Sequence, residues 1–227
     1  MINKILIIMI LILAAEIIIG YMQYSNSTYY KQKKTNFIKI FFDKGAFGEY
    51  RTSTKLEKID KDAKFLFNVY IPKKNEFTEI DIIYINPKGI FVVENKNYSG
   101  WIFGKDTDNK WCQSLNNKTK YFFYNPIKQN ETHIKYLKET LEKENINIEQ
   151  LHSIISFNNG AELKKIVNNT NSIVTNSRYI SYIVKNMIKY TGDFIDTNMI
   201  YEKLEKYTKV TEEQKIDHVK NIKKQIK

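Results

Sequence analysis

Asp81, Glu94 and Lys96 are charged side chains set into a segment that otherwise reads as buried strand. The stretch EFTEIDIIYINPKGIFVVENKNYSG (76–100) is, by its β-branched and aromatic content, a strand, a tight turn and a second strand. A charge buried in such a hairpin is costly unless it is paired or bound. Two carboxylates and an ammonium gathered there suit a hard divalent cation and the phosphate it polarises. The plain alternative is an ion pair between Lys96 and Glu94 or Asp81 on a solvated face. Ile90 and Val92 alternate onto the face of Glu94 and Lys96, so that face begins in a core and ends in charges.

Whether the two carboxylates meet depends on register. In NPKG (86–89), Pro87 is preset for the first central turn position and Gly89 is free to take positive φ. An even-numbered connection sets Ile85 against Ile90, so that paired positions sum to 175 and Asp81 falls opposite Glu94. A three-residue loop with a bulge at Gly89 would set Asp81 against Asn95 and turn it away from Glu94. Proline is incompatible with a primed two-residue turn, so a four-residue loop built on a type I turn is predicted.

An ordered set of short motifs surrounds these residues. Gly45-Ala46-Phe47-Gly48-Glu49 opens a helix, and Thr78-Glu79-Ile80-Asp81 leads into the hairpin. Gly89-Ile90-Phe91-Val92-Val93-Glu94-Asn95-Lys96-Asn97-Tyr98-Ser99-Gly100 follows, then Trp111, Asn125-Pro126-Ile127-Lys128-Gln129, His133 and LHSIISFNN (151–159). Together they resemble the nuclease-related domain (NERD) family of the PD-(D/E)xK nuclease superfamily, over about Phe41 to Asn158. A bare E-x-K carries no information, but the ordered set is specific. One departure is Ile80, where the superfamily pattern has a proline.

The resemblance implies an α/β (α+β) fold with a restriction-endonuclease-like α-β-β-β-α-β core and a mixed central sheet. It implies a metal-dependent phosphodiesterase site in which Asp81, Glu94 and the Asn95 carbonyl ligate Mg²⁺, or Mn²⁺ in its place. Lys96 would orient or activate the attacking water and offset charge in the transition state. Glu49 would be a further acidic group, and Gln129 would point into the site from the following helix. Read without the resemblance, Glu49 needs no role beyond favouring a helix start. Gln129 and His133 are four apart and share a helix face, with His133 read as a satisfied core or surface histidine. The sequence argues against a zinc site, because His133, His152 and His218 lack ligand spacing and Cys112 is the only cysteine. No small-molecule cofactor is expected.

ILIIMILILAAEIIIGYM (5–22) is about as long as a bilayer-spanning helix, with Glu16 as its one charge. The rival reading is a secretory signal, although no clear small-x-small cleavage site follows. Lys4 before the run, against Lys31, Lys33, Lys34 and Lys39 after it, favours a single-pass cell-membrane protein with a cytoplasmic carboxy-terminal domain. Secretion is the alternative.

The organisation predicted is an anchor at 1–23, a linker at 24–43, the nuclease-like domain at 44–160, and an α/β extension at 161–227 ending in a basic helix. KFLFNVYIP (64–72) reads as a strand with Phe65, Phe67, Val69 and Ile71 on one apolar face. Trp101 and Trp111 read as packing across a hairpin at 101–113. Asn125 caps a helix running from Pro126 to about Glu144. The net charge of +11 favours anionic partners. Nucleic acid, DNA before RNA, and an anionic membrane surface both satisfy it. Taken with the apolar run, the resemblance implies a membrane-anchored, Mg²⁺-dependent nuclease acting on DNA. Two alternatives remain: a catalytically inactive nucleic-acid-binding relative, or an envelope protein with a basic interaction surface.

Overall fold

The computed structural model describes residues 2–74, 76–115, 119–190 and 194–211. The apolar amino-terminal run forms helix α1 (Ile2–Asn26), whose segment Lys4–Asn26 is long and apolar enough to cross a membrane; its apolar side chains from Ile5 to Ile19 are exposed. Three capped helices follow. Ser27 accepts from the Tyr30 N–H at the start of α2 (Thr28–Lys33). Asn36 accepts from Ile38 and Lys39 at α3 (Phe37–Phe42), and Asp43 from Ala46 at α4 (Lys44–Leu56). The stretch expected as a linker therefore consists largely of helix, and it places Tyr24, Tyr29 and Ile40 in the core.

Strands β1 (Lys64–Lys73), β2 (Glu76–Asn86) and β3 (Gly89–Lys96) form an antiparallel meander. A smaller antiparallel unit, β4 (Gly100–Lys105), β5 (Lys110–Ser114) and β6 (Lys120–Tyr124), precedes helix α5 (Pro126–Lys143). Strands β7 (Leu151–Phe157), β8 (Ala161–Val167) and β9 (Ile173–Asn176) and helices α6 (Ile180–Tyr190) and α7 (Thr197–Glu205) complete the described chain. The central sheet runs β1-β2-β3-β7-β9, antiparallel as far as β3 and parallel beyond it. Strand β8, which the sequence reading left out, joins the second sheet, β6-β5-β4-β8. The α-β-β-β-α-β core is α4-β1-β2-β3-α5-β7. The basic terminal helix expected at 211–227 lies almost wholly outside the described residues.

Both faces of the central sheet are covered, so its strands read as near-continuous apolar runs. One face packs Leu66, Ile83, Ile85, Ile90 and Val92 against Tyr136, Leu137 and Leu141 of α5 and Ile200 and Leu204 of α7. The other packs Phe67, Ile82, Tyr84, Phe91 and Val93 against Leu56 of α4, Ile180 and Val184 of α6, and Tyr24, Tyr29 and Ile40. A third cluster, Ile102, Trp111, Ile127, Ile155 and Phe157, joins the two sheets. Trp111 is stacked on Phe157, with ring centroids 6.2 Å apart. Trp101 takes the opposite face of its strand unit, half exposed under the Lys164 ammonium, so the two tryptophans do not pack together.

Strand β1 also departs from simple alternation. Leu66, Val69 and Ile71 share one core while Phe65 and Phe67 belong to the other, a phase change at Asn68, whose φ is +50°. The paired register omits Asn68 and Asp81, which lie opposite each other. Ile80 and Ile83 accordingly fall in the same core although three apart. The side-chain phase thus slips in both strands at the position of the candidate ligand.

Candidate metal and phosphodiester site

Strands β2 and β3 pair with Asn86 against Gly89, Ile85 against Ile90 and Ile82 against Val93, all summing to 175. The expected parity therefore holds, but the connection is two residues rather than four. Pro87 and Lys88 turn without positive φ, the Asn86 side chain accepts from the Lys88 N–H, and Gly89 absorbs φ of +148°. This unprimed solution accommodates proline because the strain is transferred to the glycine that follows.

The ladder ends at Ile82–Val93. Beyond it β2 stays with β1, while β3 continues along β7 as far as Lys96–Phe157. Asp81 and Glu94 sit where the strands part, so they line a fork and are not a ladder pair. Asp81 Oδ2 accepts the Asn95 N–H at 2.8 Å, which closes the mouth of the fork.

Glu94 is almost fully buried and held at both oxygens. Oε1 is 2.6 Å from Lys96 Nζ, and Oε2 is 3.1 Å from His133 Nε2. Burial pushes its carboxyl up, but Lys96 and His133 outweigh that and hold it at about 2. Lys96 donates to Gln129 Oε1 at 3.1 Å. Burial works against the Lys96 ammonium, yet Glu94, Tyr98 and Asp81 raise its pKa above the ordinary lysine value. Asp81 behaves oppositely. Burial pushes its carboxyl well above the usual range, and the Glu94 and Glu49 carboxylates add to the rise against Lys96 and the Asn95 amide. The site thus contains one carboxyl whose neighbours hold it ionised and one whose surroundings disfavour the ionised form.

Helix α5 supplies the Glu94 side of the fork. Asn125 is its cap, accepting from Ile127 and donating to the carbonyls of Lys105, Asp106 and Asp108. The turn between β4 and β5 thereby fixes the start of the helix. Asn130 donates to the Val92 carbonyl and to Ser153 Oγ, both at 2.9 Å, clamping the helix to β3 and β7. Gln129 and His133 then project at Lys96 and Glu94. The Thr78 hydroxyl is 2.7 Å from His133 Nδ1, which makes a chain Thr78–His133–Glu94. His133, expected as a core or surface histidine, is buried, and its partner is the candidate ligand Glu94. The four-residue spacing from Gln129 was the signal that both reach the same place.

Helix α4 supplies the opposite side. Gly48 lets it approach β3, since a Cβ there would lie 2.5 Å from Asn95 Nδ2. Thr52 donates to Asn95 Oδ1 at 2.7 Å. Glu49 is buried and accepts from Asn68 Nδ2 at 3.2 Å and from the Tyr29 hydroxyl at 3.3 Å. Burial raises its pKa to about 7, with the Asn68 bond and Lys33 opposing and Glu79 reinforcing the rise. No sequence signal pointed to Tyr29 or Asn68, which reach Glu49 through tertiary packing.

Among the described residues no group of three or more His, Cys, Asp or Glu side chains is placed to hold a metal. The available donors at the fork are the Asp81 and Glu94 carboxylates and main-chain carbonyls. Such an all-oxygen set, with few protein donors, fits Mg²⁺, which keeps several of its waters. A cation there would favour the ionised form of Asp81, which burial, Glu94 and Glu49 disfavour.

No solved structure matches this chain. An uncharacterised protein of Bacillus anthracis is 39% identical over 103 residues, 44% of this chain and 48% of that protein, so the chain spans about half the length of the relative it matches. The profile of the nuclease-related domain, NERD, matches residues 44–158, from the start of α4 to the end of β7, and contains Glu49, Asp81, Glu94, Lys96, Gln129 and His133. The chain belongs to the nuclease-related domain family.

Proposed function

We propose that this protein is a membrane-anchored, Mg²⁺-dependent nuclease that hydrolyses phosphodiester bonds of DNA. The observation that carries the reading is the fork: Asp81, Glu94 and Lys96 converge where β2 and β3 separate. Asp81, Glu94 and the Asn95 carbonyl would hold the metal, which when bound supplies Lewis-acid polarisation of a phosphate oxygen and a more acidic water. Lys96, kept protonated by Glu94, suits electrostatic stabilisation of charge building on the phosphate rather than proton abstraction. Gln129 and His133 are positioning residues that fix Lys96 and Glu94. Glu49, buried beside the fork with its pKa raised to about 7 by burial, would be a further acidic group of the site.

The net charge of +11 draws a polyanion toward this site, and lysines would supply the phosphate contacts. Helix α1 serves as the anchor, with the domain on the cytoplasmic side by the lysine asymmetry that follows it. The inactive, nucleic-acid-binding reading is favoured by one observation: both Glu94 oxygens are already engaged by protein groups.

A single experiment separates the two. Full-length protein in detergent is incubated with plasmid DNA and with RNA, in Mg²⁺, in Mn²⁺ and in chelator, beside Asp81→Ala and Glu94→Ala. Metal-dependent cleavage of DNA that both substitutions abolish is expected. Equal cleavage by the variants would refute the site. Salt-sensitive binding without cleavage would establish the binding-only alternative.

A further inference from the structure

Helix α3 presents three large apolar side chains to solvent: Ile38 is 66% exposed, Phe41 50% and Phe42 84%. Six residues, FIKIFF, thus leave only Ile40 fully in the core. A soluble domain has no reason to keep such a tip, and a cluster of this kind marks a contact surface.

The position of α3 identifies its occupant. Phe37, its first residue, packs edge-on to Tyr21 of α1 at 5.4 Å and tilted to Tyr24 at 5.7 Å. A Cβ on Gly20 would be 3.7 Å from the Phe37 ring. The apolar run 5–22 rises about 27 Å as helix, close to the thickness of a bilayer's hydrocarbon core. Gly20 and Tyr21 therefore fall at the lipid boundary, and α3 is fastened to that level with no spacer. Lys34, Lys39 and Lys44 around it are exposed, a charge pattern suited to anionic headgroups.

Resting on the anchor part of the function proposed above, we propose that α3 is an interfacial foot. Ile38, Phe41 and Phe42 insert into the headgroup–acyl boundary of the bilayer that α1 crosses, and the three lysines meet anionic lipid phosphates. The foot is coupled to the site through rings. Phe41 contacts both Phe37 and Phe47, with centroids 5.0 and 5.2 Å apart, and Phe47 lies two residues before Glu49 on α4. The fork is consequently held at one orientation and height, so the nucleic acid it accepts is that lying against the membrane.

Site-directed spin labelling of full-length protein in phosphatidylglycerol–phosphatidylethanolamine vesicles tests this. With Cys112→Ser as background, single cysteines replace Ile38, Phe42, Ile12 in the anchor and Tyr182, which is 70% exposed on α6. Labels at 38 and 42 are expected to show a severalfold higher ratio of oxygen to aqueous-nickel accessibility than the label at 182. A ratio at 42 equal to that at 182, with position 12 reading as lipid-immersed, would overturn the foot and leave the anchor standing. An aqueous reading at 12 would overturn both. Dipolar broadening between labels at 42, with low oxygen access, would assign the patch to a second copy of the chain instead.

Discussion

The two candidate metal ligands should respond oppositely to neutralisation when no metal is present. Glu94 sits 2.6 Å from Lys96 and 3.1 Å from His133, and its carboxyl is held at about 2 instead of 4.5. That difference corresponds to roughly 3 kcal/mol of stabilisation of the folded protein. Glu94→Gln removes it and leaves Lys96, only 16% exposed, without its closest countercharge, a loss of about 3–5 kcal/mol by comparison with other broken buried pairs. For a chain of this length that lowers the melting temperature by roughly 6–20 °C. The sign fixes the pH dependence. A carboxyl depressed in the fold contributes fully above its unfolded pKa of about 4.5 and loses the contribution as pH falls toward 2, so the deficit of the variant should shrink below pH 4.5.

Asp81→Asn should do the reverse. The Asp81 carboxyl is raised by burial and by Glu94 and Glu49, so ionising it at neutral pH destabilises the metal-free fold. An asparagine keeps an oxygen for the Asn95 N–H and removes the charge, for a gain on the order of 1 kcal/mol. Saturating Mg²⁺ at about a hundred times its dissociation constant should then stabilise wild type by roughly 2.7 kcal/mol and leave the variant nearly unchanged. Thermal melts of detergent-solubilised protein, followed through the fluorescence of buried Trp111 with chelator and with Mg²⁺, read all of this. A loss of stability in Asp81→Asn as large as in Glu94→Gln, in chelator at pH 7, would refute the account of the fork as one carboxyl held ionised and one whose ionised form is disfavoured.

Two further outcomes follow from the same geometry. The Glu49 pKa is raised to about 7, so its contribution is present below about pH 4.5 and is lost as pH climbs through 7; Glu49→Gln should gain on wild type between pH 5 and 8, by at most about 3 kcal/mol, in melts across that range. A flat difference would show that Glu49 is not buried as described. His133→Phe strands the Thr78 hydroxyl and Glu94 Oε2, and should cost about 1–3 kcal/mol. It should also weaken Mg²⁺ binding, measured by calorimetry; unchanged affinity together with unchanged stability would remove His133 from the site.

Much of the fold was legible because it rests on local patterns. The helix cap at Asn125, the strand read at 64–72 and the parity of the hairpin all follow from side-chain period and turn chemistry. Three features were not legible. Strand β8, AELKKIV, has a half-exposed pattern without the run of apolar residues that marks a buried strand. The phase change at Asn68 and Asp81 leaves no trace in composition, because both faces of β1 are apolar. The segment at 24–43 looks like a polar and then aromatic linker, and only packing reveals Tyr24, Tyr29 and Ile40 as core.

The sequence by itself determined that Asp81, Glu94 and Lys96 would occupy one hairpin, that the hairpin's parity would bring them to one end, and that an apolar helix would precede the domain. These are matters of spacing, and spacing survives translation into a period-two strand. Only the tertiary structure decided that the ladder stops at Ile82–Val93, because β3 finds a second partner in β7 and must leave β2 to follow it. That divergence makes the fork, and burial from helices on both faces then assigns its charges: Lys96 and His133 satisfy Glu94, while Asp81 is left between two carboxylates. Which of two acidic residues is satisfied depends on the dielectric and the neighbours around each, and neither is written in the order of residues along the chain.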